Sequence, residues 1–165
     1  MTDTSRGPRP DIILREIAAL LPAFEDVVRG GPEPADLKDA PIMANWSYAA
    51  RGPFPAIAGL VAGHPILPET AIVTSQTVWC DPDAGHARTR SRWYRLGPRS
   101  HIVPAVSFRG RILPPLTDVQ ARESMVQAPT ILLGAARDLR ARDLADRLAA
   151  VVAAWPPETQ RGRLQ

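Results

Sequence analysis

From Asp11 to Arg29 the apolar residues Ile13, Ile17, Leu20, Leu21, Phe24 and Val28 recur at helical spacing. Pro10 and Asp11 suit a helix start, and Gly30 and Gly31 suit a stop. The pattern predicts an amphipathic helix that Pro22 kinks or divides in two. A short helix around Ala35 to Asp39 follows, and then Ile42, Met43, Trp46 and Tyr48 read as core anchors.

In the middle of the chain the period changes to two. Ala56 to Ala62 is short and apolar, as a buried strand would be, and ends at the turn signature Gly63, His64, Pro65. Thr70 to Cys80 is rich in β-branched residues and alternates as one strand. Asp81 to Gly85 forms a turn, and His86 to Leu96 returns antiparallel, which makes a long hairpin. Ile102 to Phe108 is strand-like, with Pro104 marking an edge or a bulge, and Arg109, Gly110 and Arg111 form a basic turn.

Helical spacing resumes at Thr117 or Asp118, runs to about Gln127, restarts at Pro129 and reaches Trp155 before Pro156 and Pro157. Leu144, Leu148, Val151, Val152 and Trp155 form the inner stripe, and Asp138 with Arg142 and Asp143 with Arg147 are spaced as ion pairs on the outer face. The step from Leu139 to Leu144 breaks phase, so a bend near Ala141 is expected. The elements add up to an α+β fold: a small antiparallel β-sheet with a long hairpin, flanked by N-terminal and C-terminal helices.

A length of 165 residues fits one domain over 10–157, with a flexible lead-in over 1–9 and a flexible tail over 158–165. The single cysteine, Cys80, excludes an intrachain disulfide and a thiolate metal cluster, and reads as core. No apolar run is long enough for a membrane span, and the start MTDTSRGPRPD lacks a signal peptide's apolar stretch, so the cytoplasm is the expected location.

Charge changes the picture more. All but one of the 20 basic residues are arginine, a bias that genomic base composition also produces. Their distribution is the informative part. Residues 1–83 are net acidic, residues 84–117 hold seven arginines and no acid, and the remainder is nearly balanced. On the expected returning strand, alternation puts His86, Arg88, Arg90, Arg92, Tyr94 and Leu96 on one face. Three arginines in register would stand about 6 to 7 Å apart, close to the spacing of phosphates along an extended strand. Pairing with the acidic N-terminal part is the alternative, because such a row is not buried unpaired.

Three stretches carry a resemblance: GHP at Gly63 to Pro65, Thr74 with Ser75, and ARTRSRWYRLG at Ala87 to Gly97, joined by ADLKDAPIMANW at Ala35 to Trp46. Over roughly residues 10–100 the chain resembles a family of uncharacterised small alphaproteobacterial proteins, a domain of unknown function often found with mobile elements. The resemblance implies a shared fold and brings no activity, substrate or catalytic residue.

No residue set has the spacing that a known chemistry requires. His64, His86 and His101 lack the helical pairing or cysteine partners of a zinc site, so no metal and no cofactor is expected. Ser75 and Cys80 lack a nucleophile elbow and an identifiable base. Two classes of function remain. The first is a non-enzymatic binding module in which Arg88, Arg90, Arg92, Arg95, Arg99, Arg109 and Arg111, with Trp93 and Tyr94 for stacking, contact nucleic acid or an acidic protein surface. The second is a metal-independent ribonuclease, with His86 or His101 moving protons and His64 auxiliary. A role as a protein-binding inhibitor from a mobile element, or an oligomer built through exposed strand edges, stays open.

Overall fold

The computed structural model describes residues 7–101 and 106–157. The expected tail over 158–165, most of the lead-in and Pro104 lie outside the described residues. The fold is α+β: a mostly antiparallel six-stranded sheet with an N-terminal helix and two C-terminal helices that pack on one another.

Helix α1 spans Pro10–Val28 and buries Ile17, Leu20, Leu21, Phe24 and Val27. It runs through Pro22 as one helix. Pro22 is exposed, and the carbonyl its ring frees belongs to Ala18, on the same exposed face of the helix. Helix α2, Pro34–Lys38, opens with a reciprocal Glu33 and Asp36 capping box.

The anchors Met43, Trp46 and Tyr48 belong to a strand, β1 (Ile42–Arg51), which hairpins into β2 (Phe54–Ala62). A bulge between Ala44 and Ser47, with Asn45 at φ 48°, interrupts the alternation that would have announced β1. At the bulge Gly59 of β2 lies so close to β1 that a Cβ there would meet the Ala44 carbonyl oxygen at 2.7 Å.

Thr70 to Cys80 is not one strand. It divides into β3 (Thr70–Val73), paired with β2, and β4 (Thr77–Asp81), paired with β5 (His86–Thr89). Strand β5 then pairs with β6 (Trp93–Leu96), and β6 meets β1 in parallel. The order β3-β2-β1-β6-β5-β4 places β3 and β4 at opposite edges. Only Thr74, Ser75 and Gln76 separate them, so Val73 and Thr77 stand at most about 14 Å apart. The sheet is therefore rolled until its edges meet, and one stretch of chain passes from edge to edge. Thr74 continues the pairing with β2 by donating its N–H to Ile57, while Gln76 accepts from the N–H of Arg90.

Beyond the sheet, β7 (Val106–Phe108) and β8 (Arg111–Leu113) form a separate hairpin around the basic turn. Arg109 and Gly110 both have positive φ, as a tight two-residue hairpin turn demands.

Helix α3, Asp118–Asp138, starts at a Thr117 and Gln120 capping box and continues through Pro129 without a restart. Pro129 cannot donate to the Met125 carbonyl, and the indole N–H of Trp155 donates to that oxygen instead, at 3.2 Å. Helix α4 spans Arg142–Ala154, and the expected bend falls at Arg140 (φ 57°) and Ala141. The bend puts Asp138 and Arg142 on different helices, and Arg147 pairs with Glu25 of α1 at 2.7 Å rather than with Asp143. Trp155 packs edge-on against Phe24 and Trp79, which ties α4 to α1 and the sheet. No helix of the described residues is long and apolar enough to cross a membrane.

Candidate anion-binding surface

The expected row of arginines does not form. His86 to Leu96 is broken by a turn at Arg90 to Arg92, because the Thr89 hydroxyl accepts the N–H of Arg92 and donates to its carbonyl. Period-two alternation ends at Thr89, and Arg88 and Arg90 both reach carboxylates of α1, Asp26 and Glu16.

Arg88 is buried. Its Nε and Nη2 donate to the Asp26 carboxylate of α1 at 3.2 and 2.8 Å, and its Nη1 donates to the Thr89 carbonyl. Every face of that guanidinium is committed within the fold. Arg95 donates to the carbonyl of Ala40. Arg99 lies over the rings of Trp46 and Tyr48 and forms a two-bond ion pair with Asp118 at the start of α3. That pairing holds the Asp118 carboxyl below its ordinary value and raises Arg99. Trp93 and Tyr94 are buried and have no free face on which a base could stack.

A different set of cations comes together. Arg51 at the end of β1, Arg90 in the β5–β6 turn and Arg109 in the β7–β8 turn belong to separate parts of the sequence but sense one another's charge, and Arg92, two residues beyond Arg90, lies toward His64. The guanidinium centres of Arg51 and Arg109 lie 4.7 and 5.2 Å from the same Phe108 ring. Burial, and then the like charges of Arg109 and Arg90, pull the Arg51 guanidinium below its ordinary value. Among the described residues the one ion pair these four arginines make is Arg90 with Glu16, at 3.2 Å and half-exposed. The Nε of Arg92 is buried without a hydrogen-bond partner. The Ser91 hydroxyl, between Arg90 and Arg92, lies 3.1 Å from that of Ser75, next to the Thr74 whose carbonyl accepts from Arg51. Arg111, exposed, follows on β8. Sequence reasoning missed Arg51 and Phe108. The signal available was the Arg51, Gly52, Pro53 turn, which becomes informative only once β1 is recognised as a strand.

The histidines do not come together. The His64 Nδ1 accepts the backbone N–H groups of Ile66 and Leu67, a local turn role, and burial followed by the nearby Arg92 charge lowers its pKa. His86 stands at the other end of β5, edge-on to Trp93 at 5.6 Å. Burial lowers its pKa, and the Asp81 carboxylate opposes that. His101 is exposed in a bend. Cys80 is buried beside the Tyr48 hydroxyl, and burial pushes its thiol up to about 12, far from a nucleophile. Among the described residues no three His, Cys, Asp or Glu side chains gather as a metal site requires.

No curated protein matches the chain, and no solved structure matches it. A family model does, over residues 10–107, a span that takes in α1, the whole sheet and the Arg51, Arg90 and Arg92 positions. The chain belongs to that family, a family of unknown function (DUF6634).

Proposed function

We propose that the protein is a binding module that grips the phosphates of a nucleic-acid strand with Arg51, Arg90, Arg92, Arg109 and Arg111. The observation that carries this reading is the convergence of Arg51 and Arg109 on Phe108 with, among the described residues, no carboxylate bonded to either. Like charges held together cost free energy, and a bound polyanion relieves that cost. Stacking on an aromatic face uses the guanidinium's π-surface and leaves its edge to donate; one Arg51 Nη1 donor goes to the Thr74 carbonyl at 2.5 Å, and the remaining donors of Arg51 and those of Arg109 are open to phosphate oxygens. The neighbouring Ser75 and Ser91 hydroxyls add donors of the kind that contact a backbone. The ribonuclease reading has no observation in its favour, since His64 is committed locally and His86 lies at the far end of β5 from the cluster.

Fluorescence anisotropy with labelled single-stranded RNA, single-stranded DNA and duplex DNA tests the proposal. Arg51→Ala/Arg109→Ala is expected to lose binding, while Arg88→Met retains it. Retention by the first variant, or capture of an acidic protein surface with no nucleic-acid binding, overturns it.

A further inference from the structure

A second site of opposite character lies at the His86 end of β5. A cavity of about 600 Å³ opens where α1 ends, where α4 ends and where the β4–β5 hairpin turns. In a chain of net charge +3, none of its lining residues is lysine or arginine. The last turns of α1 and α4 contain no basic residue, whereas those of α2 and α3 carry Lys38 and Arg137. Two helix C-termini, each bearing about half a negative charge, therefore meet at this cavity without compensation. Arg29, next after α1, is exposed and pairs with Asp26.

The cavity wall also holds Asp81, which is 7% exposed. Its carboxylate accepts one hydrogen bond, from the Ala84 N–H at 2.9 Å, and makes no ion pair among the described residues. Asp81 also borders a neighbouring cavity lined by Arg99 and Arg122 without pairing with either, so its carboxylate keeps acceptor capacity for a cation. His86, its partner across the β4–β5 ladder, is no standing counter-ion, because burial favours the uncharged imidazole. The other side chains on the wall are apolar, among them Trp79, Val27, Val28, Ala153 and Ala154, while polar atoms supply close to half of its exposed surface. Gly30 and Gly31, both at positive φ, have only open space where a side chain would stand.

We propose that this cavity binds an organic ammonium ion, a primary amine on an apolar or aromatic body, with the ammonium on the Asp81 carboxylate and the body against Trp79. The volume lies within the range of small-molecule pockets, and a buried charge beside apolar side chains is the usual way such a pocket orients its ligand. The site is separate from the arginine cluster and does not depend on that reading.

Three probes that share one body and differ in charge test it: benzylammonium, benzyl alcohol and benzoate, titrated into the full chain by calorimetry at neutral pH. Benzylammonium is expected to bind at least about tenfold more tightly than the alcohol, and benzoate not at all. The amide resonances of Gly30, Gly31, Trp79 and His86 are expected to shift on titration. Asp81→Asn keeps the acceptor for Ala84 and is expected to erase the preference for the ammonium. Equal binding of all three probes, no benzylammonium binding up to about 10 mM, or an undiminished preference in Asp81→Asn overturns the proposal. The charge series on the unaltered chain decides even if that variant fails to fold.

Discussion

Removing the Asp26 carboxylate gives the most informative perturbation of the fold, because it strands a buried cation. The Arg88 side chain is 10% exposed and that of Asp26 31%. In Asp26→Ala the Arg88 guanidinium keeps its bond to the Thr89 carbonyl and its place 5.8 Å from the Trp93 ring, but two hydrogen bonds and the counter-charge are lost. Breaking a fully buried pair costs about 3 to 5 kcal/mol. Asp26 is nearly a third exposed and water reaches the vacated side, so the lower end applies, about 3 kcal/mol. In a domain of this size that corresponds to roughly 9 °C in Tm. Arg88→Met is expected to cost less, about 1.5 kcal/mol, because Asp26 retains Arg29 at 3.2 Å and a share of solvent. Asp26→Leu/Arg88→Met replaces the pair with apolar groups and is expected within about 1 kcal/mol of the parent. Urea denaturation followed by circular dichroism gives all three values. The reasoning is refuted if Asp26→Ala costs under about 1 kcal/mol, or if Arg88→Met keeps its stability and loses nucleic-acid affinity.

Gly59→Ala places a methyl group 2.7 Å from the Ala44 oxygen and 3.0 Å from the Trp46 Cα, both backbone atoms, and is expected to destabilise by about 2 kcal/mol in the same assay. Trp155→Phe keeps the ring packing but leaves the Met125 carbonyl that Pro129 cannot serve without its donor, so a loss of about 1 to 2 kcal/mol is expected by denaturation. Cys80 is expected to resist a thiol reagent at mildly alkaline pH until urea unfolds the chain. Its folded pKa is raised by burial to about 12. The associated stability is therefore fully present below the unfolded thiol value of about 8.5 and is lost as pH rises toward the folded one. Cys80→Ala is expected to flatten that alkaline decline.

The helices were legible because their stripes are long and their stops are glycine or proline pairs. Gly30 with Gly31, and Pro156 with Pro157, bracket α1 and α4 closely. The break between α3 and α4 showed as a phase slip between Leu139 and Leu144. The sheet was harder to read because its decisive events are made by side chains acting on backbone. The Thr74 hydroxyl takes the Ile57 N–H where the chain changes edges, and the Thr89 hydroxyl closes the turn at Arg92. Both threonines sit inside runs that alternate well enough to pass for unbroken strands, and the bulge at Asn45 hid β1 for the opposite reason. The site followed the same logic. Its basic character was visible in the acid-free segment, but long-range pairing decided which arginines stay available, and Asp26, Glu16 and Asp118 lie far from their partners in sequence.

The salt dependence of RNA binding reports on the arginine cluster itself, because its slope counts the phosphates that the arginines neutralise. Five contacts to a single strand predict a log–log slope of about −3.5, and Arg51→Ala/Arg109→Ala lowers its magnitude by about 1.4. Arg88→Met, which removes an equally basic but buried residue, is expected to leave the slope unchanged. A slope near zero for the parent chain, or a slope that falls with Arg88→Met and not with Arg51→Ala/Arg109→Ala, contradicts the account.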